Sequence, residues 1–276
     1  MKRVVTMQDL SCLGKCSLTV AHPTICAMGV ECAVLPTFLL SSHTAFQSPS
    51  AVDLTGVIRG FLDHWNRIHA EFDGILTGYL ANEDQAKLAR ELITRFGHNA
   101  RVIHDPAMAD HGRLYHGIGP EMAAAHRRLC AGADLVLPNL TEGCMLAGME
   151  YENRTDLDFC RRIAAQLRKA GAKAVLLTGY SPAPDTVGFY FTDGATEFAH
   201  AGPKLPRACH GTGDLFSAVV TGGLMRGMTV PEAGRLAADF VHRAIANSGK
   251  DPRFGVAFEE ELGWLAAQCS LSHAEC

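Results

Sequence analysis

Gly211-Thr212-Gly213-Asp214 places a short glycine turn directly ahead of an apolar, helix-compatible run, Leu215-Phe216-Ser217-Ala218. Glycines let the backbone turn tightly and bring successive N–H groups close to a ligand. A helix starting there aims unpaired donors and a partial positive charge at the same point. Such a corner suits an anion, most commonly phosphate. A carboxylate beside a phosphate is repelled unless it has a task. Asp214 has one available: receiving the proton of a hydroxyl that attacks the phosphate. Taken alone, the tetrapeptide reads equally well as a loop and helix start, since Thr212 and Asp214 are both capping types.

Other polar groups follow strand-like apolar runs. Asp105 and Asp110 flank the Pro106 turn after a run ending at His104. Hard divalent cations prefer such oxygen ligands, although a solvated turn looks the same in sequence. Asn139 and Glu142 have the spacing of a capping box; a Glu142 facing a ligand would instead organise magnesium waters beside a nucleotide. Thr178 and Tyr79 each adjoin a glycine, at Gly179 and Gly78. Other nucleotide signatures fail. Gly14-Lys15 lacks the partner glycine and the hydroxyl residue of a phosphate-binding loop. Gly211-x-Gly213 has no third glycine in place and comes too late for a dinucleotide fold.

These residues need a scaffold to hold them. Nearly continuous apolar runs at 3–7, 32–37, 74–76, 101–104, 135–137 and 174–177 read as strands buried on both faces. Helical periodicity fills 54–70, 82–96, 118–130, 141–148 and 155–170. The alternation predicts an α/β protein with a parallel sheet and helices on both faces. After residue 181 the rhythm changes to a hairpin over 186–199, then helices near 213–227, 231–248 and 256–268. No linker, repeat or low-complexity tract interrupts the chain, so residues 1–276 are expected to form one domain. In open α/β sheets, ligands bind beyond the carboxyl ends of the strands. Asp105, Asn139, Thr178 and Tyr79 all follow such ends.

In order and spacing, these motifs resemble the ribokinase-like superfamily of small-molecule kinases, and within it the pyridoxal kinases. Asp105-Pro106-Ala107-Met108 is similar to that family's Asp-Pro-Val-Met segment. Pro138-Asn139-x-x-Glu142 matches its magnesium and nucleotide motif, and Gly211-Thr212-Gly213-Asp214 its anion hole and catalytic aspartate. Ser41-Ser42-His43-Thr44 resembles a Ser-Asn-His-Thr loop whose threonine approaches the pyridine ring. Leu76-Thr77-Gly78-Tyr79 resembles the segment whose tyrosine packs near the substrate. The resemblance implies a ribokinase-like three-layer sandwich, with a mostly parallel central sheet flanked by helices. It also implies ATP, Mg2+, a monovalent cation such as K+, and a homodimer. The implied reaction is phosphorylation of the 5'-hydroxymethyl group of a B6 vitamer. Asp214 would take the proton, and the amides of Gly211, Thr212 and Gly213 would hold the phosphoryl oxygens. Asp105 and Glu142 would organise the metal, Asn139 and Thr178 the triphosphate, and Asp9, His43, Thr44 and Tyr79 the vitamer. Residues 204–207 and the helix near 231–248 are plausible neighbours of the adenine.

Three departures bear on the substrate. Asp9 stands where the resembling kinases usually carry serine, Leu40 replaces an aromatic residue, and 11–16 differs from the usual glycine- and valine-containing loop. Beside the vitamer's position-4 substituent, Asp9 would attract an aminomethyl cation and favour pyridoxamine over pyridoxal; alternatively it caps a following helix. Hydroxymethylpyrimidine kinases usually show Gly-Thr-Gly-Cys and a Gly-Gly-Ala-Gly loop, which this chain lacks, though Asp9 suits a pyrimidine amino group. A non-catalytic vitamer-binding protein has no need of Asp214.

Composition narrows the partners. The formal net charge of −4 gives no basic surface for nucleic acid. No apolar stretch approaches membrane-spanning length, and Gln8 and Asp9 break the first apolar run too early for a signal peptide. The ten cysteines are scattered without Cys-x-x-Cys pairs, as expected of reduced thiols in a cytoplasmic protein.

Overall fold

The computed structural model describes residues 1–249 and 251–271. In chain order the elements are β1 (Arg3–Ser11), α1 (Leu18–Ala27), β2 (Glu31–Leu40), β3 (Ala51–Asp53), α2 (Thr55–Arg67), β4 (Gly74–Thr77), α3 (Glu83–Phe96), β5 (Arg101–His104), β6 (Ala109–Asp110), β7 (Arg113–Leu114) and α4 (Glu121–Cys130). They continue with β8 (Leu135–Val136), α5 (Leu140–Ala147), α6 (Leu157–Lys169), β9 (Val175–Tyr180), β10 (Thr186–Thr192), β11 (Glu197–Pro203), α7 (Thr212–Met225), α8 (Val230–Asn247) and α9 (Leu262–Leu271). The α/β alternation expected from the apolar runs is present.

The chain divides into two compact units. One comprises Met1–Ile58, Glu71–Gly74 and the chain from Leu205 onward; the other comprises Arg59–Ala70 and Ile75–Lys204.

In the first unit β1 pairs in parallel with β2, and β2 pairs antiparallel with β3. The β1–β2 register runs from Arg3 opposite Glu31 to Gln8 opposite Pro36, then slips so that Leu10 lies opposite Leu39. Asp9 sits at that slip. Such irregularities bend a strand and re-aim a side chain. α1 packs on β1 and β2, and α7, buried from Leu215 through Leu224, packs against α1 and α8. Gly222 and Gly223 permit this close approach. A Cβ at Gly222 would lie 2.3 Å from the Met28 sulfur, and one at Gly223 2.9 Å from the Ala233 methyl.

In the second unit β8 pairs in parallel with both β5 and β9. The chain then turns antiparallel through β10 and β11, the hairpin expected from the sequence. Gly143 lets α5 lie close against α6 and β9, since a Cβ there would meet Ile163 at 2.7 Å and Leu177 at 2.8 Å.

Candidate active site

The predicted residues assemble into two groups, one within each unit. In the first unit, α7 opens at Gly211, whose φ of 83° lies in the left-handed region. A Cβ there would come 2.2 Å from the Lys15 carbonyl oxygen, so only glycine fits. No side chain caps this helix, so its first-turn amides depend on an acceptor from outside. Thr212 is therefore not the cap its type suggests, and Asp214 points elsewhere.

Asp214 accepts a hydrogen bond from the backbone N–H of Ser17. Its carboxyl lies deep within the protein, yet part of the residue's surface remains open. Burial pushes its pKa up to about 6, the nearby Asp9 carboxylate adds to the rise, and the Ser17 amide opposes it. Asp9 is 5% exposed and accepts from the hydroxyls of Ser11, at 3.1 Å, and Ser17. Its pKa is likewise raised by burial. Because Asp9 lies inside β1 and α1 begins nine residues later, helix capping by Asp9 is excluded. Cys16 lies within electrostatic reach of both carboxylates. Burial and these two charges push its thiol far up, so it stays protonated.

His43 is also in this unit, but both its ring nitrogens are engaged within the protein. Nε2 lies 2.6 Å from the Arg253 carbonyl oxygen, and Nδ1 accepts from the Ala45 amide at 3.2 Å. Nε2 is thus the protonated nitrogen. The ring packs so closely on Gly14 that a Cβ there would lie 2.1 Å from Cδ2. His43 ties the 41–50 loop to the 251–255 loop; Thr44 beside it is exposed.

In the second unit, Asn139 caps α5 and forms the reciprocal box with Glu142. The Asn139 side chain also donates to the Ala109 carbonyl at 2.8 Å, and Thr178 pairs with Asn139 across a parallel bridge. Glu142 is 3% exposed. One carboxylate oxygen accepts from the amides of Met108 (3.1 Å) and Ala109 (3.4 Å), the other from the amide of Asn139 (2.8 Å). Burial raises its pKa, those three amides pull it down, and Asp110 raises it further. Asp105 is buried at the end of β5, its amide held by the Thr77 carbonyl. Tyr79 follows β4, half-buried.

Sequence reasoning missed two features. One is Ser17, which serves both carboxylates of the first unit. The other is a buried chain in which Thr77 Oγ1 lies 2.7 Å from His104 Nδ1, and His104 Nε2 lies 3.2 Å from His126 Nδ1. Burial lowers both histidine pKa values, so both rings are neutral. Ser17-Leu18-Thr19, a polar residue before an apolar one, was the available signal for the first; nothing local signalled the second.

Among the described residues no three His, Cys, Asp or Glu side chains gather as a metal cage. Magnesium needs none, since it keeps several waters and is held by substrate phosphates plus one or two carboxylates. Asp105 and Glu142 fit that requirement, Glu142 through water because its oxygens already serve three amides.

The sequence profile of the phosphomethylpyrimidine kinase family matches residues 33–256. The chain belongs to this family. Its members are phosphotransferases with an alcohol group as acceptor, and the glycine turn before α7 suits that chemistry. The chain is 32% identical to the hydroxymethylpyrimidine/phosphomethylpyrimidine kinase of Streptomyces coelicolor over 173 residues, 62% of each chain. Only that fraction of this relative's length is matched. A pyridoxine/pyridoxal/pyridoxamine kinase of Bordetella bronchiseptica is 32% identical over 251 residues, 85% of each chain. The crystal structure of pyridoxal kinase from Lactobacillus plantarum superposes with a TM-score of 0.87 at 32% identity, covering 100% of this chain and 99% of that one. The fold thus follows that kinase along its whole length.

Proposed function

We propose that the chain transfers the γ-phosphoryl group of ATP to the 5'-hydroxymethyl group of a B6 vitamer: pyridoxal, pyridoxine or pyridoxamine. The observation that carries this is Asp214, deep yet accessible, in the first turn of an uncapped helix entered through a left-handed glycine. Likeness over 85% of a kinase named for these three vitamers, and over 99% of one named for pyridoxal, supports the substrate class.

In this reaction the hydroxymethyl oxygen forms a bond to phosphorus as the bond to the ADP oxygen breaks, and the proton passes to Asp214. A pKa of about 6 makes Asp214 a stronger base than an ordinary carboxylate while keeping it ionised at neutral pH. Phosphoryl transfer proceeds through a loose transition state, so holding the hydroxyl in line matters more than early proton removal. The amides of Gly211, Thr212 and Gly213 face the charge that spreads over the phosphoryl oxygens. Asn139 and Thr178 steady the triphosphate. Asp105 and Glu142 would hold Mg2+, which would supply positive charge to the triphosphate. Asp9, His43, Thr44 and Tyr79 are assigned to the vitamer, His43 with both ring nitrogens held within the protein. The same assignment takes residues 1–276 as one cytoplasmic kinase domain, active as a homodimer and aided by a monovalent cation such as K+.

Hydroxymethylpyrimidine is the second acceptor to consider, because the family match and the Streptomyces relative point to it. One assay separates the two. ATP consumption is measured with pyridoxal, pyridoxine, pyridoxamine and hydroxymethylpyrimidine in parallel. Turnover confined to hydroxymethylpyrimidine overturns the B6 assignment; ATP consumption with none of the four overturns both.

A further inference from the structure

Two acidic side chains of the first unit lie together with no cation paired to either among the described residues. Asp9 and Asp214 are two carboxylates within electrostatic reach of each other. Their bonding partners are neutral: the Ser11 hydroxyl, the Ser17 hydroxyl and the Ser17 amide. Neither takes part in an ion pair among the described residues, and the nearby cation Lys15 is engaged with Glu259 at 2.8 Å. Buried charges are ordinarily paired, because removing a lone carboxylate from water is expensive. Asp214 has a reason to stay unpaired, since a proton acceptor held by a cation would be a poor base. Asp9 has none. It lies near the end of β1, at the slip in the β1–β2 ladder between Gln8 and Leu10.

We infer that Asp9 is a specificity-determining residue that selects acceptors bearing a primary ammonium group, so that pyridoxamine is preferred over pyridoxal and pyridoxine. This rests on the B6 kinase assignment. The substrate's own cation supplies the charge missing from the protein. Pyridoxine isolates the effect, because it differs from pyridoxamine only in carrying hydroxymethyl instead of aminomethyl at ring position 4. Ser11 and Ser17 fix the Asp9 carboxylate in one orientation, which reduces the ordering needed when the ammonium arrives. A neutral substituent offers Asp9 no ionic partner and leaves its charge buried.

The test measures kcat/KM for pyridoxamine and pyridoxine, with calorimetric Kd values for both, on the full chain and on Asp9→Asn and Asp9→Ser. A charge-assisted contact of this kind corresponds to about 10- to 100-fold in affinity. Pyridoxamine should therefore lead pyridoxine by about that factor, and each variant should collapse the ratio toward unity. Because the readout is a ratio within one preparation, partial misfolding of a variant does not move it. A wild-type ratio at or below one overturns the inference, even if neither variant folds. So does a ratio unchanged by both substitutions. If the wild type turns over neither vitamer, the kinase assignment fails by itself, and the ratio of Kd values still decides whether the ammonium is selected.

Discussion

Asp9 and Asp214 meet through Ser17, whose hydroxyl donates to the first and whose backbone amide donates to the second. Ser17 adopts φ 49° and ψ −128°, a combination that a side chain normally avoids. Such conformations cost on the order of 1–3 kcal/mol and persist where the surroundings impose them, commonly at functional sites. Here the turn directs an N–H at Asp214 just before α1 begins. It also leaves the helix without a side-chain cap at its start. The geometry of the two carboxylates has been kept at the expense of local stability.

The elevated pKa of Asp214 should appear in the pH–rate profile. With a value of about 6, raised first by burial and then by Asp9, kcat/KM should fall as the pH drops below about 6 and Asp214 takes up a proton. Asp9→Asn removes the like charge and should move this acid limb to lower pH. Profiles between about pH 5 and 8 check both statements. A limb unmoved by Asp9→Asn would show that the two charges do not interact.

The same shift fixes the sign of a stability effect. The folded-state pKa lies above the unfolded value, so folding favours the protonated acid. Stability therefore declines as pH rises from about 4 to about 6, and stays lower above that. Asp214→Asn removes the ionisable group. It should abolish turnover yet raise stability at pH 8 by no more than about 3 kcal/mol, with the gain shrinking toward pH 4. Thermal melts at these two pH values provide the measurement. Equal melting temperatures for variant and wild type at pH 8 would mean that the Asp214 carboxylate is comfortably solvated.

What the sequence disclosed and what it concealed divide by distance along the chain. The Asn139–Glu142 box needs only a spacing of three, and it forms as that spacing predicts. β5 runs over the residues its apolar pattern marks, and Gly211 makes the tight turn expected of a glycine ahead of α7, in the left-handed region. By contrast, α1 carries no clear helical signal, because Pro23 sits inside it. β3 escaped notice because all three of its residues are exposed. The hydrogen bond of His43 to Arg253, 210 residues away, has no signal near either residue in the sequence. Ser17 was hidden for a similar reason. Its role depends on the approach of residues 9 and 214, which composition and periodicity do not encode. Caps and turns set by short spacings are legible; hydrogen bonds between residues far apart in the chain are not.

Glu142 offers a test of whether its carboxylate is needed by the fold. Both of its oxygens accept backbone amides. Glu142→Gln necessarily turns an NH2 group toward at least one of these donors. Leaving a buried amide unsatisfied costs about 1–3 kcal/mol, so the variant should melt at a lower temperature. Its KM for ATP should rise as well, because α5 carries Asn139. A variant as stable as the wild type would show that residue 142 is already protonated and that the amides do not hold an anion.

The glycines of the turn before α7 should respond unequally to one added methyl group. Gly211 has φ 83°, and its Cβ would stand 2.2 Å from the Lys15 carbonyl oxygen, a backbone atom that cannot swing aside. Gly213 lies within α7 and has open space where its Cβ would be. Gly211→Ala pays about 1–2 kcal/mol for the left-handed conformation alone, and the collision adds to it. Relief would come from moving either the turn or the 14–16 loop. Both movements misplace Asp214, through its own helix or through Ser17. Gly211→Ala should thus lower the melting temperature and reduce kcat far more than it raises KM for ATP. Gly213→Ala, within the helix, should melt no lower than the wild type, since alanine is the better helix former by about 1 kcal/mol. Melting curves and steady-state kinetics on the two variants make the comparison. If Gly211→Ala turns over at the wild-type rate, the α7 turn is not the phosphate-holding corner, and the catalytic role of Asp214 goes with it.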